Sequence, residues 1–229
     1  LDPFSMTVTK SVALMDVLSA IERAAEDPRI EGIFLNMSSI SMGMGTMEEV
    51  RDALVRFKER GKFIISYSNY YSQGMYYLAT VADKVYVNPE GALDWRGMAS
   101  TSMFFKGTLD KLGVKAEIYR VGEFKSAVEP FMTDRMSPEN REQMEVLLNS
   151  IWGSLVEEVG KARNIQPDVL QGYASTLAVT NPQKAQELGL VDGVKYKDEV
   201  LVELTEKVYM SDSYDTPNMV LLSEYVRAP

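Results

Sequence analysis

Two rhythms of apolar and polar positions alternate along the chain, and the switches between them set out its elements. Val12, Met15, Leu18 and Ile21 recur at helical spacing, and Asp27-Pro28 stops that helix. Gly32-Ile33-Phe34-Leu35-Asn36-Met37 is short, apolar and bounded by turn formers, which predicts a buried strand. After a loop over Ser38–Gly45, Val50, Leu54 and Phe57 mark a second amphipathic helix with Gly61 past its end. Phe63-Ile64-Ile65-Ser66-Tyr67 reads as the next buried strand, and Tyr71–Ala79 opens a helix directly behind it. Lys84-Val85-Tyr86-Val87 is a further strand, closed by a turn at Asn88-Pro89-Glu90-Gly91.

The second half is mostly helical in pattern. Phe104, Phe105, Leu109 and Leu112 predict a helix ended by Gly113, and Val114–Val121 alternates as a strand. Ser137-Pro138 starts the longest helix, whose apolar face runs through Met144, Leu147, Leu148, Ile151, Leu155 and Val159 to about Arg163. Asn164–Val179 is irregular with a short helix, Asn181-Pro182 opens another, and Glu199–Val208 is a last amphipathic helix. Met210–Pro229 has no helical periodicity and reads as a connector with a strand at Met219–Leu222. The βαβ rhythm predicts a mostly parallel sheet covered by helices.

Composition narrows the chemistry. The 229 residues suffice for one large domain, and 45% apolar with 25% charged residues is ordinary for a globular protein. A net charge of −9 argues against nucleic acid and against electrostatic docking to anionic lipid. Cysteine is absent, so disulfide and thiolate chemistry are excluded; histidine is absent, which excludes a Ser–His–Asp triad and a histidine zinc site. No spacing of a calcium loop and no phosphate-cradling glycine loop is present, so no cofactor and no metal are expected. The pairs Glu48-Glu49 and Glu157-Glu158 point different ways on their helices and read as solvated faces. Met42, Met44, Met75 and Met98 are read either as core filler or as the lining of an adaptable groove for apolar peptides. No run of about 18 apolar residues exists to span a membrane, and the opening LDPFSMTVTK has neither a signal-peptide pattern nor an initiator methionine. These features raise the expectation of a piece of a longer polypeptide.

Lys125 stands out within VGEFKSAVEPFMTD, between Phe124 and the apolar Ala127, Val128, Pro130 and Phe131. Residue chemistry leaves two readings open. One is a surface lysine laying its stem on an apolar patch. The other is a desolvated amine with a lowered pKa, able to take a proton from a nucleophile.

The run VGEFKSAVEPFMTDRMSPENREQ, together with YSQGMYYLATVADKVYVNP and AQELGLVDGV, resembles the amino-terminal half of the long form of bacterial signal peptide peptidase A, or protease IV. That resemblance implies an α/β Clp-protease/crotonase-like fold of repeated strand–strand–helix units, with mostly parallel sheets flanked by helices. Residues 1–208 would form that domain, and 209–229 a connector toward an absent carboxy-terminal domain. The family is a membrane-associated serine protease with a Ser–Lys dyad that degrades remnant signal peptides. The resemblance makes Lys125 its general base, with the nucleophilic serine supplied by the carboxy-terminal half. Phe124 and Phe131 are expected to keep water from the amine, and Ser126 to hydrogen-bond near it. Hydrophobic signal peptides, a homo-oligomer (a tetramer in the full-length form) and the extracytoplasmic side of the bacterial inner membrane follow from the same likeness.

Catalytic copies of the motif resemble Ala-Ser-Gly-Gly-Tyr-Tyr-Leu-Ala. Laying Tyr76-Tyr77-Leu78-Ala79 on it places Gln73 where the serine belongs and Ser72 one position early. One residue at a helix start turns a side chain by about 100°, so Ser72 is expected to cap the helix instead. Asp94-Trp95-Arg96-Gly97 likewise replaces a Thr-Gly-Ser-Ile-Gly-like run. The isolated chain is therefore expected to be inactive. The alternatives are a non-catalytic scaffold or oligomerisation domain of the same protease, and an acyl-CoA-binding crotonase-like enzyme.

Overall fold

A computed structural model describes residues 12–115, 117, 128–208 and 217–227. Two compact units divide the chain, one of Leu1–Trp95 with Glu158–Pro229 and one of Arg96–Glu157.

The first unit is built on parallel strands joined through helices, the α/β arrangement of a Clp-protease/crotonase-like fold. Helix α1 (Leu14–Glu26) ends where Asp27 turns extended ahead of Pro28. It buries Ala20, Ile21 and Ala24, while Met15, one of the positions that marked the helix, lies 69% exposed. Strand β1 (Gly32–Asn36), helix α2 (Met44–Glu59), strand β2 (Phe63–Tyr71), helix α3 (Gln73–Ala79) and strand β3 (Lys84–Leu93) follow. A two-residue strand β4 (Gly193–Val194) completes the sheet in the order β1-β2-β3-β4, with Leu35 beside Ser66, Ser66 beside Val85, and Tyr86 beside Gly193. Strand β1 was expected to be buried. It is only half-buried, because it pairs on one side alone among the described residues.

The expected turn at Asn88–Gly91 is instead part of β3, which continues to Leu93 and pairs Ala92 with Tyr70 after an irregularity between Ser68 and Tyr70. Gly91 makes this continuation feasible: a Cβ there would lie 2.1 Å from the Asn69 carbonyl oxygen.

One sheet face carries Ile65, Tyr67 and Tyr86, packed with Val200 and Leu204 of helix α9 (Lys197–Val208). Ile64 and Ser66 point the other way by strand alternation, and both are fully buried. Helix α7 (Pro167–Ser175) and helix α8 (Pro182–Glu187) precede β4; Asn181 caps α8 by accepting the Lys184 N–H at 2.7 Å. At the end of the chain, residues 217–221 are irregular and a single-turn helix α10 (Leu222–Tyr225) follows, so the strand expected at Met219–Leu222 is not formed.

The second unit holds helix α4 (Lys106–Leu112), ended by left-handed Gly113, and the one-turn helix α5 (Glu129–Met132). It also holds most of helix α6 (Pro138–Arg163), whose last turns belong to the first unit. Ser137 caps α6 as its sequence demanded, accepting the Asn140 N–H at 3.2 Å. The apolar face expected along all of α6 is buried only in its later part, at Trp152, Leu155, Val156 and Val159; Leu147 is 51% exposed. The strand expected at Val114–Val121 falls mostly outside the described residues, and its described part is irregular.

Candidate active site

Strand β2 delivers the chain straight into α3, and Ser72 is the residue between them. Its backbone is extended, and its hydroxyl accepts the Met75 N–H at 3.3 Å while its carbonyl accepts the Tyr76 N–H at 2.8 Å. Ser72 is thus a helix cap, with its side chain turned toward the amides of the first turn. Gln73, the residue expected at the motif's serine position, is the first helical residue. A carboxamide has no hydroxyl to ionise and cannot attack a carbonyl carbon. Gly74 packs closely on Met47: a Cβ there would lie 3.1 Å from its sulfur.

Three aromatic rings fill the ground behind α3. Tyr76 meets Tyr71 edge to face at 6.2 Å and Trp95 at 5.9 Å, and all three are fully buried. Each polar tip has a partner. The Trp95 indole donates to the Leu170 carbonyl at 2.8 Å, Tyr76 donates to the Leu190 carbonyl, and Tyr71 bonds Ser66 at 2.8 Å and the Tyr86 carbonyl at 3.1 Å. Burial pushes the Tyr71 and Tyr76 phenols far above their ordinary range, so neither works as a proton carrier near neutral pH. Asp94 accepts from the Tyr70 hydroxyl, and its N–H donates to the Tyr71 carbonyl at 2.8 Å. Of the Asp94–Gly97 run, Trp95 is therefore core.

Arg51 is a structural support of α3 that sequence reasoning missed. It is 5% exposed, donates to the Tyr77 carbonyl and to Thr80 Oγ1 at 3.0 Å, and lies over the Tyr77 ring at 4.7 Å. It closes the carboxy-terminal end of α3, where a cation is favoured. Glu158, read as part of a solvated face, lies 3.8 Å from the Arg51 guanidinium. Burial lowers the Arg51 pKa, and Tyr77 and Glu158 partly offset it.

Asp192, in the Gly-Leu-Val-Asp signature, bridges β3 and the end of α6. Its carboxylate accepts the Val85 N–H at 2.8 Å and pairs with Arg163 at 2.8 Å. Burial raises its pKa, but those two donors outweigh burial and hold it below the ordinary 3.8.

Lys125 lies outside the described residues, as do Phe124 and Ser126. In the second unit the chain is described again from Val128. Phe131, expected to shield the amine, stacks on Phe105 with ring centroids 5.8 Å apart and is 46% exposed. Glu129 is buried. It accepts Ser137 Oγ at 2.5 Å, Asn140 Nδ2 at 2.8 Å and the Ser137 N–H at 3.3 Å, tying α5 to the start of α6. No sequence period signals such a residue; only the acid near a Ser-Pro helix start hinted at it. Of the four methionines read as possible groove lining, Met75 is 2% exposed and belongs to the core, while Met42 and Met98 are partly exposed. Among the described residues no cluster of acids could hold a metal ion, and no helix is long and apolar enough to cross a membrane.

Residues 56–211 match the peptidase family S49. The chain is 37% identical over 195 residues to Protease 4 of Haemophilus influenzae, covering 82% of this chain and 32% of that protein. It is 27% identical over 218 residues to the chloroplastic serine protease SPPA of Arabidopsis thaliana, covering 95% of this chain and 32% of that protein. It is 23% identical over 197 residues to a putative signal peptide peptidase SppA of Enterococcus faecium, with 86% and 56% covered. The chain spans about a third of the length of the first two relatives. A parallel sheet feeding α3, an Asp192 that ties β3 to α6, and a family match over most of the chain agree: the chain belongs to peptidase family S49, the signal peptide peptidase A and protease IV family.

Proposed function

We propose that this chain is the lysine-bearing part of a membrane-associated serine protease that degrades remnant signal peptides, and that its nucleophilic serine comes from another part of the parent polypeptide. The observation that supports this reading is the start of α3, where Ser72 is bound up as a cap and Gln73, the residue that the motif alignment lays on the serine, is the first helical residue. The names of the relatives, Protease 4 and serine protease SPPA, support a peptidase, and their greater length supports a missing portion. Lys125 is the general base: as a neutral amine it takes the proton of the serine hydroxyl, the alkoxide attacks the scissile carbonyl, and the ammonium returns the proton to the leaving amine. The parent acts as a tetramer at the extracytoplasmic face of the bacterial inner membrane on apolar peptides.

Lys125→Ala in the full-length protein tests the reading. Peptidase activity should fall by at least about 100-fold, the scale of a lost general base, with folding unchanged. Retained activity would favour the scaffold reading, in which Lys125 is structural. In parallel, the isolated chain should not react with a fluorophosphonate probe, whereas labelling at Ser72 would overturn the assignment of the missing nucleophile.

A further inference from the structure

The segment 217–227 returns to the beginning of the chain and meets α1 through one aromatic residue. Tyr225 donates its hydroxyl to Asp27 Oδ2 at 3.2 Å, and the Arg23 guanidinium lies 5.3 Å from the centre of the Tyr225 ring. Arg23 Nη2 also donates to the carbonyl of Tyr225 at 2.9 Å and approaches that of Val226 at 3.4 Å. These contacts join positions about 200 residues apart in sequence.

Pro217 is buried at the start of the segment, but the apolar strip that follows it does not account for the docking of α10. Met219, Val220, Leu221 and Leu222 are consecutive and all exposed, from 45% to 65%. Nor is α10 stable by itself, since a helix of one turn has no propagation to offset its nucleation. The receiving side, by contrast, is built without the segment. Lys62 donates to the carbonyls of Ala24 and Asp27, at 2.5 and 2.6 Å, and closes the end of α1. Arg29 grips the Asp27 carboxylate with Nε at 2.9 Å and Nη2 at 2.8 Å. That grip holds the Asp27 carboxyl well below the usual carboxylate range, so it stays an ionised acceptor.

We propose that residues 217–227 are a polar latch, in which the attachment of α10 to the Arg23–Asp27 end of α1 depends on the ring and hydroxyl of Tyr225 rather than on the apolar strip Met219–Leu222. The latch fixes the exposed Met219–Leu222 strip at one place on the molecule. It holds whether or not the protease reading above is correct, because the test reads only the docking.

Hydrogen exchange of this chain is the test. The amides of Glu224, Tyr225 and Val226 are bonded within α10, to carbonyls of Leu221 and Leu222, and should be protected only while the latch is shut. Tyr225→Ala should speed their exchange by about 10-fold and Tyr225→Phe by about threefold, because the second change removes the hydroxyl alone. Arg23→Gln should resemble Tyr225→Ala, and about 1 M salt should loosen the wild type, since these contacts are surface electrostatic ones. Peptides from β2 and α9 should exchange as before in each variant. Unchanged exchange in Tyr225→Ala, or unprotected rates in the wild type, would overturn the proposal.

Discussion

The Ser72 hydroxyl accepts the Met75 amide, so this serine is committed to holding α3. Ser72→Ala should lower stability by about 1 kcal/mol, the usual worth of a helix cap, measured by urea unfolding. In the full-length protease it should leave turnover intact; a large loss of turnover with only that small loss of stability would make Ser72 catalytic.

Trp95 is wedged between Tyr76 and the Leu170 carbonyl. Trp95→Phe keeps most of the ring but removes its hydrogen bond to that carbonyl, and should destabilise by about 0.5–1.5 kcal/mol. Trp95→Ala opens a cavity as well and should cost about 3–5 kcal/mol. A Trp95→Phe variant as stable as the wild type would mean the hydrogen bond contributes nothing.

Gly91→Ala should be among the most damaging small substitutions, several kcal/mol, since the added methyl meets backbone rather than a movable side chain. Thermal unfolding gives the readout. A variant as stable as the wild type would show that β3 does not run past Asn88 as described.

Glu129→Gln keeps the shape of the side chain and removes its charge beside the first turn of α6. It should cost about 1–2 kcal/mol through weakened bonds from Ser137 and Asn140 and the lost helix-end interaction. Glu129→Ala should cost more, because those donors lose their partner altogether.

The pH dependence of stability has a definite sign at Asp192. Its folded pKa is depressed below 3.8, so its contribution is fully present above its unfolded pKa and is lost as pH falls through the folded value. Asp83, held down by Lys58 and the Ile64 N–H against the effect of burial, acts in the same direction. Wild-type stability should therefore decline below about pH 4, and Asp192→Asn should start lower at neutral pH and decline less steeply. Parallel curves for the two proteins would remove Asp192 from the acid limb.

Helices with punctuation were legible in the sequence. Asp27-Pro28, Ser137-Pro138 and Asn181-Pro182 each mark an end that the structure keeps, because capping is local chemistry. Features set by distant partners were not legible. Strand β4 has two residues and no period of its own; it exists because Gly193 fits beside Tyr86. Asn-Pro-Glu-Gly reads as a turn, yet the approach of Asn69 turns it into strand. Arg51 is buried only because Tyr77 and Thr80 receive it from another helix. At the candidate site the sequence placed Ser72 and Gln73 correctly on α3, while Lys125 falls outside the described residues.

Donors in the first ninety-five residues take acceptors from the far end of the chain, among them Val85 from Asp192, Tyr76 from Leu190 and Trp95 from Leu170. A ribosome that has just released β3 has therefore made a sheet whose buried polar groups still lack their counterparts. The early strands cannot settle during synthesis until about a hundred further residues have emerged. In the interval, their aromatic and amide groups are open to chaperones and to mispairing.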